Sequence, residues 1–294
     1  MAGGGRRADP PMTAGEALRD AVLRLGQAGV ESPQADAEWL IADLLSCSRS
    51  EIPLRAETAL ASEDRDRLAG WVERRIRREP LQHILGTANF LGYDFRVSAE
   101  VLIPRPETEV LVEMALQFLG SLPHPFVCDL GTGSGCMAVA LAKRCPDATV
   151  IASDLSEAAL RLAKRNAESL GALGQLEFRH ADGLAALANG EQVDLILSNP
   201  PYIPTAEIDT LQPEVRDHDP RLALDGGADG LRFYRMLVDG GRSRLRRGGR
   251  LMAEFGDGQE QAVTGLFRQA GWPGLEVAND LTGRPRIVIA TAGQ

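Results

Sequence analysis

Asn199-Pro200-Pro201-Tyr202 is the stretch of this chain whose residue types could do chemistry together. It follows Val193-Asp194-Leu195-Ile196-Leu197-Ser198, an apolar run that reads as a buried strand and must stop at the prolines, because neither can donate to a sheet ladder. The strand tip therefore presents a carboxamide, two backbone carbonyls with no competing N–H nearby, and an aromatic ring. That set suits a flat NH2-bearing group. The nitrogen of a carboxamide or an exocyclic base amine is a poor nucleophile, since its lone pair is delocalised. A site that accepts both N–H bonds, through the Asn199 side-chain oxygen and the Pro200 carbonyl, localises that lone pair and aims it at an electrophile. Tyr202 can lie against the π-face of the group. No strong base is required, because the proton becomes acidic only after the nitrogen is alkylated. The bland alternative is a strand ending in a Pro-Pro turn, with Asn199 as a cap and Tyr202 as packing.

The upstream sequence favours chemistry. Phe126-Val127-Cys128-Asp129-Leu130 reads as a short strand that runs into Gly131-Thr132-Gly133-Ser134-Gly135 and then a helix. Such a turn lets backbone approach a ligand, with a helix N-terminus behind it. A dinucleotide fingerprint would need glycine at position 136, which is Cys136. The pattern is instead acidic-x-G-x-G-x-G, suited to a ligand without pyrophosphate, which Asp129 would repel. The next strand, Ala148-Thr149-Val150-Ile151-Ala152-Ser153, ends at Asp154, where a carboxylate can accept from both hydroxyls of a ribose. A strand around Leu176-Glu177-Phe178 leads to Asp182. Asp129, Asp154, Asp182 and Asn199 thus stand at successive strand tips, along the carboxyl edge where open α/β sheets place ligands. Each aspartate alone could be a helix N-cap. The four in register with a glycine turn are hard to obtain as caps only.

The elements that must position these residues divide the 294-residue chain. Residues 1–12 read as a disordered lead-in. Residues 13–86 carry helical spacing: Thr13 with Glu16 is a capping box, Ser32-Pro33 opens a second helix, and Ser62-Glu63 opens a third. The Arg74-Arg75-Ile76-Arg77-Arg78 cluster is either a contact surface for an acidic or nucleic-acid-bound partner or, as such runs more often are, a solvated face, much of it neutralised by nearby acids. Residues 87–106 form a β-hairpin linker that turns at Leu91-Gly92 and runs into Ile103-Pro104-Arg105-Pro106. Prolines on both sides of Arg105 make that arm stiff and extended. Arg105 and Glu107 are either a surface ion pair or part of an arm passing over a ligand pocket. Residues 107–294 alternate strands with helices and close in a terminal hairpin, giving about seven strands. After Tyr202 a polar, proline-containing connection to Asp229 reads as a substrate-covering loop, and His218 as an ordinary loop histidine. A helix over 231–245 and a strand Arg250-Leu251-Met252-Ala253-Glu254-Phe255 are expected to follow.

A formal charge of -9 argues against a surface built for nucleic-acid backbone. The cysteines Cys47, Cys128, Cys136 and Cys145 form no C-x-x-C pair, so a reduced, cytoplasmic protein without disulfides or metal is expected. No run is apolar enough for a membrane span, and the N-terminus lacks a secretory signal.

Together, Pro80 to Gly86, the hairpin, Ile103-Pro104-Arg105-Pro106-Glu107-Thr108-Glu109, Asp129-Leu130-Gly131-Thr132-Gly133-Ser134-Gly135, Asn199-Pro200-Pro201-Tyr202 and Arg221-Leu222-Ala223-Leu224-Asp225-Gly226-Gly227 resemble the protein glutamine methyltransferases that modify peptide chain release factors, within the class I S-adenosylmethionine-dependent superfamily. The resemblance implies an α/β fold: a seven-stranded Rossmann-like sheet with a terminal antiparallel hairpin, preceded by a small all-α substrate-recognition domain and the linking hairpin. It implies that Gly131, Thr132, Gly133, Ser134 and Gly135 hold the methionine part of S-adenosyl-L-methionine, Asp154 its ribose, and the Asp182-Gly183 turn its adenine, with Asn199 beside it. It also implies that Asn199, Pro200 and Tyr202 take the glutamine amide of a Gly-Gly-Gln loop, with Pro201, Arg105 and Glu107 on the substrate side. The implied partners are class I release factors, met by a monomer without direct nucleic-acid or membrane contact. Relatives often carry an aromatic residue where this chain has Gly183, so the adenine side departs from the pattern. An adenine amino-methyltransferase acting on DNA or RNA would ask for the same clamp, but would need a basic groove or target-recognition domain that the sequence lacks. A cofactor-binding scaffold without turnover is disfavoured by the intact Asn199 to Tyr202 stretch.

Overall fold

The computed structural model describes residues 12–293. Of the expected lead-in, residues 1–11 lie outside the described residues, whereas the Met12 carbonyl accepts from Leu60 N–H at 2.9 Å. The chain divides into two compact units at the Leu85/Gly86 junction.

The first unit is helical: α1 (Ala14–Gln27), α2 (Pro33–Leu44), α3 (Ser62–Ile76) and α4 (Leu81–Leu85), with a 3-10 segment at Arg49–Arg55. Thr13 and Glu16 form the capping box, Glu16 N–H donating to Thr13 Oγ1 at 3.3 Å and Thr13 N–H to Glu16 Oε2 at 2.8 Å. Leu25, Leu40, Ile41, Leu68 and Val72 close the core. The arginine cluster is not a free face. Arg75 Nε meets Asp36 Oδ2 at 2.7 Å, Arg74 Nε donates to Glu79 at 2.8 Å, and Arg78 Nη1 donates to the Gly29 carbonyl at 2.7 Å.

The second unit opens with the hairpin β1 (Thr87–Phe90) and β2 (Tyr93–Arg96). Its two-residue turn has positive φ at both positions, 52° at Leu91 and 84° at Gly92, the hand that matches strand twist. Then follow α5 (Pro106–Leu119), β3 (Phe126–Leu130), α6 (Cys136–Arg144), β4 (Thr149–Asp154), α7 (Glu157–Ser169), β5 (Leu176–His180), β6 (Val193–Ser198), α8 (Pro213–Arg216), α9 (Arg221–Leu224), α10 (Arg232–Gly240), β7 (Leu245–Glu254), α11 (Glu260–Gln269), β8 (Gly274–Asn279) and β9 (Pro285–Thr291). The large sheet has seven strands in the order β5-β4-β3-β6-β7-β9-β8. β9 is antiparallel to both its neighbours and the other pairings are parallel. The chain steps outward from β3 to β5 and returns on the other side of β3 at β6. The tips of β3 and β6 therefore flank the reversal point, where open sheets leave a crevice. Helices cover both faces, so β3 and β6 are largely apolar on both: Val127, Leu195 and Leu197 pack on one face, Cys128 and Ile196 on the other.

Two local expectations are corrected. The helix expected over 231–245 is α-helical only to Gly240 and continues as a 3-10 turn over Gly241–Arg244, where Gly241 is pressed against Leu251, and β7 begins already at Leu245. The connection after Tyr202 is not an open loop. It holds a 3-10 segment at Thr205–Thr210, α8 and α9, and is pinned where Ile203 bridges Asp225. Its helices are only four residues each, too short for periodicity to register. Among the described residues, no helix is long and apolar enough to cross a membrane.

Candidate active site

Two cavities meet at the tip of β6. The first is lined by Gly131 to Ser134, Asp154, Leu155, Ala181, Asp182, Gly183, Pro201, Phe233 and residues of the arm around Val101 to Arg105. The second is lined by Glu107, Pro200, Tyr202, Leu211, Val215, Glu254 and Arg286. Asn199, Leu102, Arg105 and Ala223 border both.

The first cavity is built mainly from backbone. Gly131 and Gly133 adopt φ of 74° and 56°, which turns the chain sharply off β3. Gly133 N–H donates to Asp154 Oδ2 at 2.9 Å and Ser156 N–H to Asp154 Oδ1 at 2.8 Å, so the carboxylate is oriented while each oxygen keeps a further lone pair. Beneath the turn, Asp129 is fully buried. Its Oδ2 accepts from Thr132 Oγ1 at 2.7 Å, and its Oδ1 has no partner. Burial pushes this carboxyl up to about 7, with the neighbouring Asp154 charge adding to the rise. Asp154 and Asp182 on the lining, beside apolar walls, suit a cationic or hydroxyl-rich ligand and repel a diphosphate.

Gly135 is not among the lining residues. It caps α6 with φ 82°, and a Cβ there would stand 3.0 Å from Ala163 Cβ, so it serves the packing of α6 on α7. Gly183 does line the cavity, with φ 49°, and a Cβ there would lie 2.5 Å from Met236 Cε. Met236, from α10, occupies the space beside residue 183, while Phe233 on the same helix supplies an aromatic ring to the wall. That ring lies far from Asp182 in sequence, and no local pattern announced it.

The second cavity is built from side chains. Asn199 Nδ2 donates to Thr108 Oγ1 at 3.0 Å, and Thr108 Oγ1 donates to Glu254 Oε2 at 2.7 Å. With one N–H of its NH2 on Thr108, Asn199 has its Oδ1 available. No donor among the described residues is bonded to that oxygen or to the Pro200 carbonyl. The neighbouring Tyr202 carbonyl is already used, accepting from Gln259 Nε2 at 2.8 Å. Gly256 lies so close to the Tyr202 ring that a Cβ would stand 3.0 Å from Cδ2. Burial and the Glu254 charge keep the Tyr202 phenol neutral well above its ordinary range. Burial also raises Glu254 to about 7, opposed by the Thr108 hydrogen bond and the Arg286 charge. Tyr234 Oη fixes the Glu254 backbone, donating to its carbonyl at 2.6 Å.

The arm is tied down across the crevice. Arg105 Nη2 meets Asp219 Oδ2 at 2.8 Å, and the Asp219 side chain is 1% exposed. Burial lifts Asp219 to about 6 against the pull of the guanidinium. The ion-pair partner of Arg105 is therefore Asp219, not Glu107, which faces the second cavity. Behind the glycine turn, the buried Asn166 accepts from Arg96 N–H at 2.9 Å and donates to the Arg96 and Ser134 carbonyls at 3.0 and 2.8 Å. Thr108, Glu254, Arg286, Phe233 and Asn166 were not legible as site residues. Of these, Glu254 alone gave a signal, as a carboxylate ending an apolar strand.

Comparison with known proteins is consistent across the chain. Residues 16–86 match the family described as PrmC N-terminal domain, and residues 108–217 match the methyltransferase small domain. The chain is 46% identical over 270 residues to a release factor glutamine methyltransferase from Geobacter sulfurreducens, covering 92% of this chain and 93% of that protein. It is 45% identical over 279 residues to one from Cereibacter sphaeroides, covering 95% and 98%. Among solved structures, a methyltransferase from Pyrococcus furiosus matches with a TM-score of 0.51 at 17% identity, over 80% of this chain and 100% of that one, a likeness of fold alone.

Proposed function

Because this chain belongs to the release factor glutamine methyltransferases, we propose that it transfers a methyl group from S-adenosyl-L-methionine to the side-chain amide nitrogen of the glutamine in a release factor's Gly-Gly-Gln loop. The observation that carries this reading is the meeting of the two cavities at Asn199, whose NH2 is committed to Thr108 and whose oxygen is not.

The first cavity suits the cofactor: Gly131 to Ser134 would hold the methionine part, Asp154 the ribose hydroxyls, and Asp182 and Gly183 the adenine edge beside Phe233. When bound, the cofactor supplies an electrophilic methyl. Asn199 Oδ1 and the Pro200 carbonyl accept both N–H bonds of the glutamine amide, Tyr202 covers its face, and Pro201 separates the two ligands. Orientation of this kind contributes on the order of 7–11 kcal/mol in favourable systems. No residue needs to remove a proton first, since the alkylated nitrogen releases it readily. The helical unit is the part we assign to gripping the release factor, and Arg105 and Glu107 to the substrate side.

The test is mass spectrometry of a release factor after incubation with the protein and cofactor. A mass gain of one methyl on the glutamine of the loop is expected. Methyl incorporation into bare DNA or RNA in place of the release factor would overturn the reading.

A further inference from the structure

Asn199 can serve an amide clamp only if its oxygen, not its NH2, faces the substrate. The two ends of a carboxamide are almost the same size, so packing alone does not choose between them. Hydrogen bonding chooses. A hydroxyl carries one proton, and Thr108 gives its proton to Oε2 of Glu254 at 2.7 Å, the direction imposed when Glu254 is a carboxylate, which can only accept. What Thr108 then offers Asn199 is a lone pair, which accepts an N–H and repels a carbonyl oxygen; Asn199 Nδ2 sits 3.0 Å away. Thr108 is 3% exposed and Glu254 2%, so both groups lie almost wholly out of bulk solvent. Thr108 itself is held in the first turn of α5, its N–H donating to the Arg105 carbonyl at 3.1 Å. The relay thus joins the start of α5, the tip of β6 and the end of β7, segments far apart in sequence.

We propose that Thr108 is a positioning residue for methyl transfer: it fixes which end of the Asn199 amide faces the substrate, and Glu254 gives the relay its direction. This rests on the amide-clamp reading above. A carboxamide turned the other way would present two donors to a donor, and the substrate nitrogen would lose an acceptor.

The test is steady-state methylation of a release factor by the full chain, with Thr108→Val, Thr108→Ser, Asn199→Ala and the Thr108→Val/Asn199→Ala double variant. Cofactor affinity is read by calorimetry and folding by thermal melting. Thr108→Val is expected to lower kcat about tenfold, the size of one lost orienting hydrogen bond, with KM for the release factor and cofactor affinity within about twofold. Thr108→Ser, which restores the hydroxyl, returns kcat to near the wild-type value. The double variant is no slower than Asn199→Ala alone, because there is no longer an amide to orient. Should the valine methyl disturb folding, Thr108→Ala carries the same expectations. Full kcat in Thr108→Val beside an inactive Asn199→Ala overturns this proposal and leaves the clamp standing, as do losses that multiply in the double variant. Full activity in Asn199→Ala overturns the clamp and this proposal with it.

Discussion

The two cavities flanking Asn199 are made in opposite ways. The wall on the β3 side is backbone from one short turn, oriented by a carboxylate at the next strand tip. The wall on the β7 side is side chains brought from α5, the segment just after β6, β7 and β9, namely Glu107, Asn199, Tyr202, Glu254 and Arg286, with Thr108 bonded to Asn199 from the side of the first cavity. A backbone cradle tolerates change in side chains that do not face it and fails when φ is constrained. A side-chain pocket fails when any member loses its partner. The first arrangement suits binding and the second suits orientation, so damage to them should separate into affinity and turnover.

The sharpest separation is expected from Asn199→Ala, which should lower kcat by roughly 10²–10³, as loss of a preorganised polar contact at a reacting centre does. Cofactor affinity should stay within about threefold, and calorimetry beside single-turnover rates checks both. Asp154→Ala should do the reverse. It frees the Gly133 and Ser156 N–H groups and removes the acceptor for the ribose, so cofactor Kd should rise on the order of tenfold to a hundredfold. At saturating cofactor, kcat should change by less than about threefold, and a larger fall in kcat than in affinity would merge the two regions.

The buried carboxyls give a subtler contrast. Asp129 is raised from 3.8 to about 7 and Glu254 from 4.5 to about 7, so in both the folded state prefers the protonated form. Their contribution to stability is complete below the unfolded values and is lost as pH rises through about 7. The melting temperature should therefore fall between pH 5 and pH 8, and Asp129→Asn should flatten that fall, with no gain at pH 4. An unchanged slope in Asp129→Asn would remove Asp129 from this account. The smallest effect is expected at the arm. Arg105→Ala leaves Asp219 buried without its cation, so KM for release factor should rise about threefold with kcat within about twofold.

The same contrast decides what could be read in advance. The glycine turn, Asp154, Asp182 and the Pro-Pro stop after β6 are local signals, because a tight turn or a strand end dictates residue type within a few positions. The central strands of the sheet were legible for the same reason: β3, β4 and β6, buried on both faces, read as nearly unbroken apolar runs. Thr108 lies in the first turn of α5, and nothing in Pro106-Glu107-Thr108 reveals that its hydroxyl meets a carboxylate 146 residues away. Phe233 and Met236 were hidden too, since α10 reads as an ordinary amphipathic helix; only packing shows Met236 beside Gly183. Gly135 looked like part of the cradle because it shares the motif's spacing, although its missing side chain accommodates α7.

Asn166 has a consequence for anyone recombining this fold. One interior amide on α7 serves the last residue of the hairpin and the loop after β3 at once, through Arg96 and Ser134. Transplanting that hairpin into a host lacking an equivalent amide would strand the main-chain groups of Arg96 without partners, at about 1–3 kcal/mol for each group that stays buried. A chimera joined after residue 96 therefore has to carry Asn166 across with it, seventy positions downstream of the seam.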